Sequence, residues 1–136
     1  MFYDFCDSMN DPISDMLIRI KNAQRAKQEA VRIPYSRLKH EIARALERLG
    51  MVGASERKGK RVRKILDLTL LYPEGRAAIT EVKLISKPSR RLYASYKDLH
   101  RSVHGGVVLL TTPKGILSSN EARRERVGGQ LIAELW

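Results

Sequence analysis

The spacing of apolar residues changes partway along this chain, and that change limits the folds open to it. Up to Leu49 apolar positions recur mostly every three or four residues; beyond Val52 they mostly alternate with polar ones. The first spacing gives a helix one buried stripe, and the second gives a strand one buried face. Helices early and strands late predict an α+β fold.

Asp11-Pro12 reads as the start of the first helix, with Asp at the cap and Pro at the first helical position. Its stripe is Ile13, Met16, Leu17, Ile20 and Ala23, and it is expected to end near Lys27. Residues 31–33 form a short strand stopped by Pro34. Ser36 caps a second helix whose apolar face is Leu38, Ile42, Ala45, Leu46 and Leu49, ended by Gly50. Residues 52–57 should then pair with 63–71 across a turn at 58–61, with Leu66, Leu68 and Leu70 on one face.

Tyr72-Pro73-Glu74-Gly75 is a turn and marks a domain boundary. The reading is two small packed domains, 9–75 and 76–136, with residues 1–8 as an N-terminal extension. At about 70 residues each half has little core of its own, so the halves are expected to pack on each other. In the second, residues 78–86 alternate, with Thr80, Val82 and Leu84 on one face. Residues 90–94 form another strand, 96–102 a short helix or loop, and 107–110 an apolar strand. A loop spans Thr111-Thr112-Pro113-Lys114-Gly115. Ser118 with Glu121 three residues on is a capping-box signal for a short helix to about Arg126. Gly128-Gly129 ends it, and residues 130–136 form the closing strand.

Charge then points to a partner. The chain carries 26 basic and 15 acidic residues, a net +11. Residues 1–75 contribute 15 basic and 10 acidic groups, and residues 76–136 contribute 11 and 5, so both halves are positive. Such an excess favours a polyanion, since each cation set against a phosphate releases counterions. No apolar run approaches the roughly 20 residues that span a bilayer. Cys6 is the only cysteine, which excludes an intrachain disulfide and a cysteine metal site and fits the cytoplasm.

Three segments are candidate contacts. Arg57, Lys58, Lys60, Arg61, Arg63 and Lys64 crowd six cations into eight residues, which repel one another unless an anion neutralises them; a solvated hairpin tip is the plainer alternative. Lys87, Arg90, Arg91 and Tyr93 set cations beside an aromatic ring. Alternation puts Arg91 and Tyr93 on one face, which suits phosphate contact and base stacking. Thr111, Thr112, Pro113, Lys114 and Gly115 offer hydroxyls, an ammonium and a permissive backbone. An ordinary polar turn is the alternative there.

His100 and His104 stand four apart, a two-ligand metal spacing if they share a helix, but no third ligand is placed and no metal is expected. Residues 53–60 fail as a phosphate-binding loop, because Arg61 stands where Ser or Thr must hold magnesium. No acid, base and nucleophile come together, so neither catalysis nor a cofactor is expected. Two rivals remain: a non-specific nucleic-acid-binding or nucleoid protein, and a small RNA-processing enzyme using His100 or His104.

Several segments together resemble one family. They are residues 10–17 (Asn-Asp-Pro-Ile-Ser-Asp-Met-Leu), Arg19-Ile20-Lys21-Asn22-Ala23, Ile33-Pro34, and residues 87–93 (Lys-Pro-Ser-Arg-Arg-Leu-Tyr). Residues 111–117, Glu121-Ala122-Arg123, Val127-Gly128-Gly129 and Trp136 complete the set. In order over residues 9–136, the chain resembles small ribosomal subunit protein eight of the bacterial type.

The resemblance implies a structural protein that binds the central domain of small-subunit rRNA early in assembly. The loop matching Thr111 to Gly115 would approach RNA bases and backbone, and Tyr93 would pack on the RNA. The N-terminal domain would add backbone contacts. Small-subunit protein five is the implied protein neighbour, and in some members the operon mRNA is bound and repressed. The location would be the cytoplasmic small subunit, with an organellar ribosome also open. Three positions depart from the family pattern: Thr111-Thr112-Pro113 lacks a third hydroxyl, His104-Gly105-Gly106 replaces Gly-Leu-Gly, and Gln130 replaces a Glu. Gln130 keeps an acceptor but carries no charge.

Overall fold

A computed structural model describes residues 12–59, 64–86, 91–100 and 102–136. The expected cap Asp11, residues 1–8, and the site residues Lys60, Arg61, Lys87 and Arg90 lie outside the described residues. The fold is α+β, with three α-helices and two antiparallel sheets among the described residues. The described residues divide into two compact units, one within 16–80 and one within 81–136 together with 12–15.

Helix α1 is Pro12–Arg25, ending two residues before the expected Lys27. Lys27 turns left-handed (φ 56°) and lets Gln28 N–H reach the Ala23 carbonyl at 3.0 Å. Within the Met16–Thr80 unit, β1 is Ala30–Pro34, α2 is Arg37–Arg48, β2 is Ser55–Lys58 and β3 is Ile65–Thr69. The strand order is β1-β3-β2, so β3 is central. Leu66 and Leu68 are fully buried, as its alternation predicted, and Leu70 just beyond is buried too.

Ser36 caps α2 by accepting from Lys39 N–H at 3.1 Å. Gly50 takes φ 78° and Met51 N–H closes on the Leu46 carbonyl at 2.9 Å. The buried face is Ile42, Ala43, Ala45 and Leu46. Leu38, placed on that face by spacing, is 41% exposed instead, because it lies in the first turn, ahead of the buried stretch. Gln24, buried at 1% exposure, is a polar clamp in this unit. Its amide donates to the Leu71 carbonyl (3.0 Å) and accepts from Ile79 N–H (2.9 Å), which ties residues 71–79 to the end of α1.

In the second unit, β4 is Val82–Leu84, β5 is Tyr93–Ala94, β6 is Val107–Thr112, β7 is Gly115–Ser118, α3 is Ser119–Glu125 and β8 is Gly129–Leu135. Strand β8 is the hub, pairing with β4, β5 and β6, while β7 pairs with β6. The expected strand over 78–86 shortens to β4, and Thr80 before it is exposed. The strand over 90–94 shortens to β5. Residues 96–98 form a single 3-10 turn.

The expected loop over 111–115 is a tight hairpin instead. Thr111 and Thr112 end β6, Pro113-Lys114 turn, and Gly115 (φ 111°) opens β7, a strand that the sequence reading missed. Its four residues, Gly-Ile-Leu-Ser, are too short to show a period by themselves. The capping box forms as expected: Ser118 Oγ accepts from Glu121 N–H and Glu121 accepts from Ser118 N–H. Leu99, Leu110 and Ala122 form the buried cluster beneath α3, with Tyr96, Leu117, Val127 and Leu131 packed on it.

Candidate nucleic-acid interface

The pairing of β8 with β5 and β6 sets one row of side chains. Gln130 on β8 is the register partner of Tyr93 on β5 and of Thr111 on β6. Partners across antiparallel strands point to the same face, about 5 Å apart. Three residues far apart in sequence therefore lie side by side. Tyr93 is 71% exposed, Thr111 is exposed, and Gln130 is half-buried between them.

An irregularity in the ladder creates this row. The β6–β8 register runs Leu109↔Ala133 and then Leu110↔Leu131, so Ile132 is the extra residue of a bulge. A one-residue shift exchanges the faces of everything beyond it. Without the bulge Thr111 would oppose Leu131 and not Gln130. The Ile132 carbonyl is not wasted: it accepts from Ile85 N–H at 3.0 Å.

The paired glycines make the row tight. A Cβ on Gly129 would fall 1.8 Å from the Thr111 carbonyl oxygen, and one on Gly128 would fall 2.3 Å from the Ala94 carbonyl oxygen. Strand β8 thus enters between β5 and β6 at a spacing only glycine permits. The sequence reading gave these glycines to the helix end. Arg126 is the left-handed cap of α3 (φ 56°), and the glycines serve the strand contact.

Arg91 and Tyr93 are exposed while Leu92 and Ala94 are half-buried, as alternation predicted. Ser86 holds the approach to β5. Its hydroxyl accepts from Leu92 N–H at 2.9 Å and donates to the Leu92 carbonyl. The Leu92 carbonyl also accepts from Leu131 N–H at 2.9 Å. This fixes the backbone at Leu92, immediately before Tyr93.

The two threonines divide their roles. Thr112 is buried; its hydroxyl donates to the Gly115 carbonyl (2.8 Å) and accepts from Lys114 N–H (3.1 Å). It closes the hairpin and has no donor left to offer. Thr111 presents the open hydroxyl. Pro113 and Lys114 are exposed at the tip, with Lys114 Nζ 3.0 Å from Glu125 Oε2 on α3. Both members of that pair are more than half exposed, so it contributes little stability and yields readily to a phosphate. Eleven residues separate them, so no local pattern signalled the pair.

The first unit holds the other described candidates. Lys58 Nζ lies 3.0 Å from Asp67 Oδ2, and hydrogen bonding to Asp67 raises its pKa. It is a committed cation. Arg57 lies over the Tyr35 ring, 5.4 Å from the centroid. Among the described residues no three metal-ligating side chains converge. His100 and His104 share no helix; His104 instead stacks on Trp136 with centroids 3.9 Å apart. No described helix is long and apolar enough to cross a membrane.

The family model for ribosomal protein S8 matches residues 11–136 of this chain. The chain belongs to that family. It is 45% identical over 131 residues to small ribosomal subunit protein uS8 of Rubrobacter xylanophilus, covering 95% of this chain and 99% of that one. The uS8 protein of Chloroflexus aurantiacus is 44% identical over 133 residues, at the same coverage. That of Erythrobacter litoralis is 40% identical over 130 residues, again covering 95% and 99%. This is a family of structural ribosomal proteins, and the α+β architecture fits it. The row Tyr93–Gln130–Thr111 brings an aromatic, an amide and a hydroxyl group together on neighbouring strands.

Proposed function

We propose that this chain is a structural constituent of the small ribosomal subunit that binds the central domain of small-subunit rRNA directly and helps assemble it. One observation carries the reading: β5, β8 and β6 align Tyr93, Gln130 and Thr111 in a row, in a chain whose relatives are small ribosomal subunit proteins. The chemistry follows from the groups. A ring this exposed stacks on an unstacked base or ribose. The Gln130 amide and the Thr111 hydroxyl both donate and accept, which suits base edges and 2′-hydroxyls. Arg91 and Lys114 flank the row and take phosphates, while Thr112 and Gly115 fix the turn.

The surface is short and rigid, so it favours an irregular stem whose bases are splayed. A regular A-form helix hides its major-groove base edges from side chains and is read mostly by shape, so sequence-specific contacts favour unpaired, splayed bases. Recognition here makes and breaks no bonds, and the protein acts as a binder in the cytoplasmic ribosome. Small-subunit protein five is the expected protein neighbour. A messenger stem folding like the rRNA site would take the same contacts, and repression of the operon would follow.

Crosslinking in intact small subunits, with mapping of the attached nucleotides, tests this. The expected result is attachment of Tyr93 and Lys114 to one irregular stem of the central domain. Tyr93→Ala should weaken binding to that stem by about 1–3 kcal/mol. Equal affinity of the unmodified protein for the stem and a scrambled helix would defeat the reading.

A further inference from the structure

A second cationic site lies in the Met16–Thr80 unit, built from groups of two elements. Tyr35, between β1 and α2, is fixed by its backbone: its N–H donates to the Lys64 carbonyl at 3.0 Å. Its ring carries Arg57 of β2 above it at 5.4 Å. The His40 ring of α2 meets Tyr35 edge-on at 5.7 Å and 70°. Arg44 stands one helical turn beyond His40, and both guanidiniums are exposed. Among the described residues neither Arg44 nor Arg57 is ion-paired.

We propose that Arg44, His40 and Arg57, with Tyr35 as the platform that holds Arg57, bind one RNA backbone phosphate. This rests on the RNA-binding reading above but adds a site on a different unit. Two unpaired guanidiniums converging on an imidazole repel each other in the free protein. A phosphate between them removes that repulsion and can accept two parallel N–H bonds from a guanidinium fork. Tyr35 is a positioning residue, since its ring restricts Arg57 before any ligand arrives and lowers the ordering cost.

The charge around His40 agrees. Burial, then Arg44, then Arg57 hold its pKa below the ordinary 6.5, and Glu47 alone opposes them. An anion bound between the guanidiniums would reverse the balance, so phosphate and proton should bind His40 together. Arg44 and Glu47 face it from α2, Arg57 from β2, and Tyr35 from the connecting segment.

The experiment uses the full chain and purified small-subunit rRNA, with affinity measured across salt concentrations and at pH 6.0 and 7.5. Arg44→Gln with Arg57→Gln should flatten the log–log salt slope by roughly one unit, the worth of one phosphate. Tyr35→Leu should weaken binding severalfold, and Tyr35→Phe, which keeps the ring, should restore it. The gain on moving from pH 7.5 to 6.0 should be larger in the unmodified protein than in His40→Gln. An unchanged slope in the double variant overturns the site if Lys114→Gln still flattens it. If neither set changes RNA binding, the RNA reading itself falls.

Discussion

Replacing Gly129 by alanine tests the claim that β8 is wedged between β5 and β6. The added Cβ would stand 1.8 Å from the Thr111 carbonyl oxygen, whereas real Cβ contacts essentially never fall under 3.0 Å. The obstacle is backbone, so no side chain can swing away. The strands must part by about 1.2 Å, the difference between those distances. That stretches the ladder at Leu110↔Leu131 and Thr111↔Gln130. Losing one or two such hydrogen bonds, at about 1 kcal/mol each, adds to overpacking strain of about 1–3 kcal/mol. The expected cost is about 3 kcal/mol. Gly105→Ala is the matched control in the same unit: its Cβ meets nothing within 4 Å, but its φ of 76° is left-handed. Its cost should be about 1–2 kcal/mol, from conformation alone. Trp136, the sole tryptophan, stacks on His104 and reports this unit in urea unfolding. If Gly129→Ala costs no more than Gly105→Ala, the close approach is wrong and so is the tight row built on it.

Three further outcomes are expected. Gln24→Leu leaves the buried Ile79 N–H without its partner and takes one of two donors from the Leu71 carbonyl, which keeps Ala78 N–H at 3.1 Å; it should cost about 1–3 kcal/mol in denaturant unfolding. Glu125→Gln releases Lys114 from its 3.0 Å partner; stability should change by less than about 1 kcal/mol while RNA affinity rises, read in the same titration series as Lys114→Gln. His40 has its folded pKa depressed below 6.5, so the unfolded chain protonates first as pH falls. Stability should therefore drop on acidification through 6.5 towards the folded value, and His40→Gln should flatten that part of the pH profile.

Much of the fold was legible because local rules and tertiary packing agree there. Ser36 and Gly50 bracket α2 through hydrogen bonds that a cap residue and a left-handed glycine make in any context. The Ser118–Glu121 box is equally local. Alternation correctly exposed Arg91 and Tyr93 and buried Leu66 and Leu68, since a strand has only two faces. Where an element was too short to hold a period, the reading failed. Strand β7, with four residues, was missed and exists because β6 offers it a ladder partner, while the strand expected over 90–94 does form, as the two-residue β5 on β8.

The sequence by itself determined the α+β class, the caps, the cationic balance and the segments bearing hydroxyl, aromatic and basic groups. These depend on residue type and spacing along one strand or helix. Only the tertiary structure decided that Tyr93, Gln130 and Thr111 are neighbours, that Thr112 turns inward to hold the hairpin, and that Gly128 and Gly129 serve strand contact. It also decided that Tyr35 carries Arg57. Each of these depends on which strand pairs with which and on a one-residue bulge at Ile132, and long-range register leaves no trace in local periodicity.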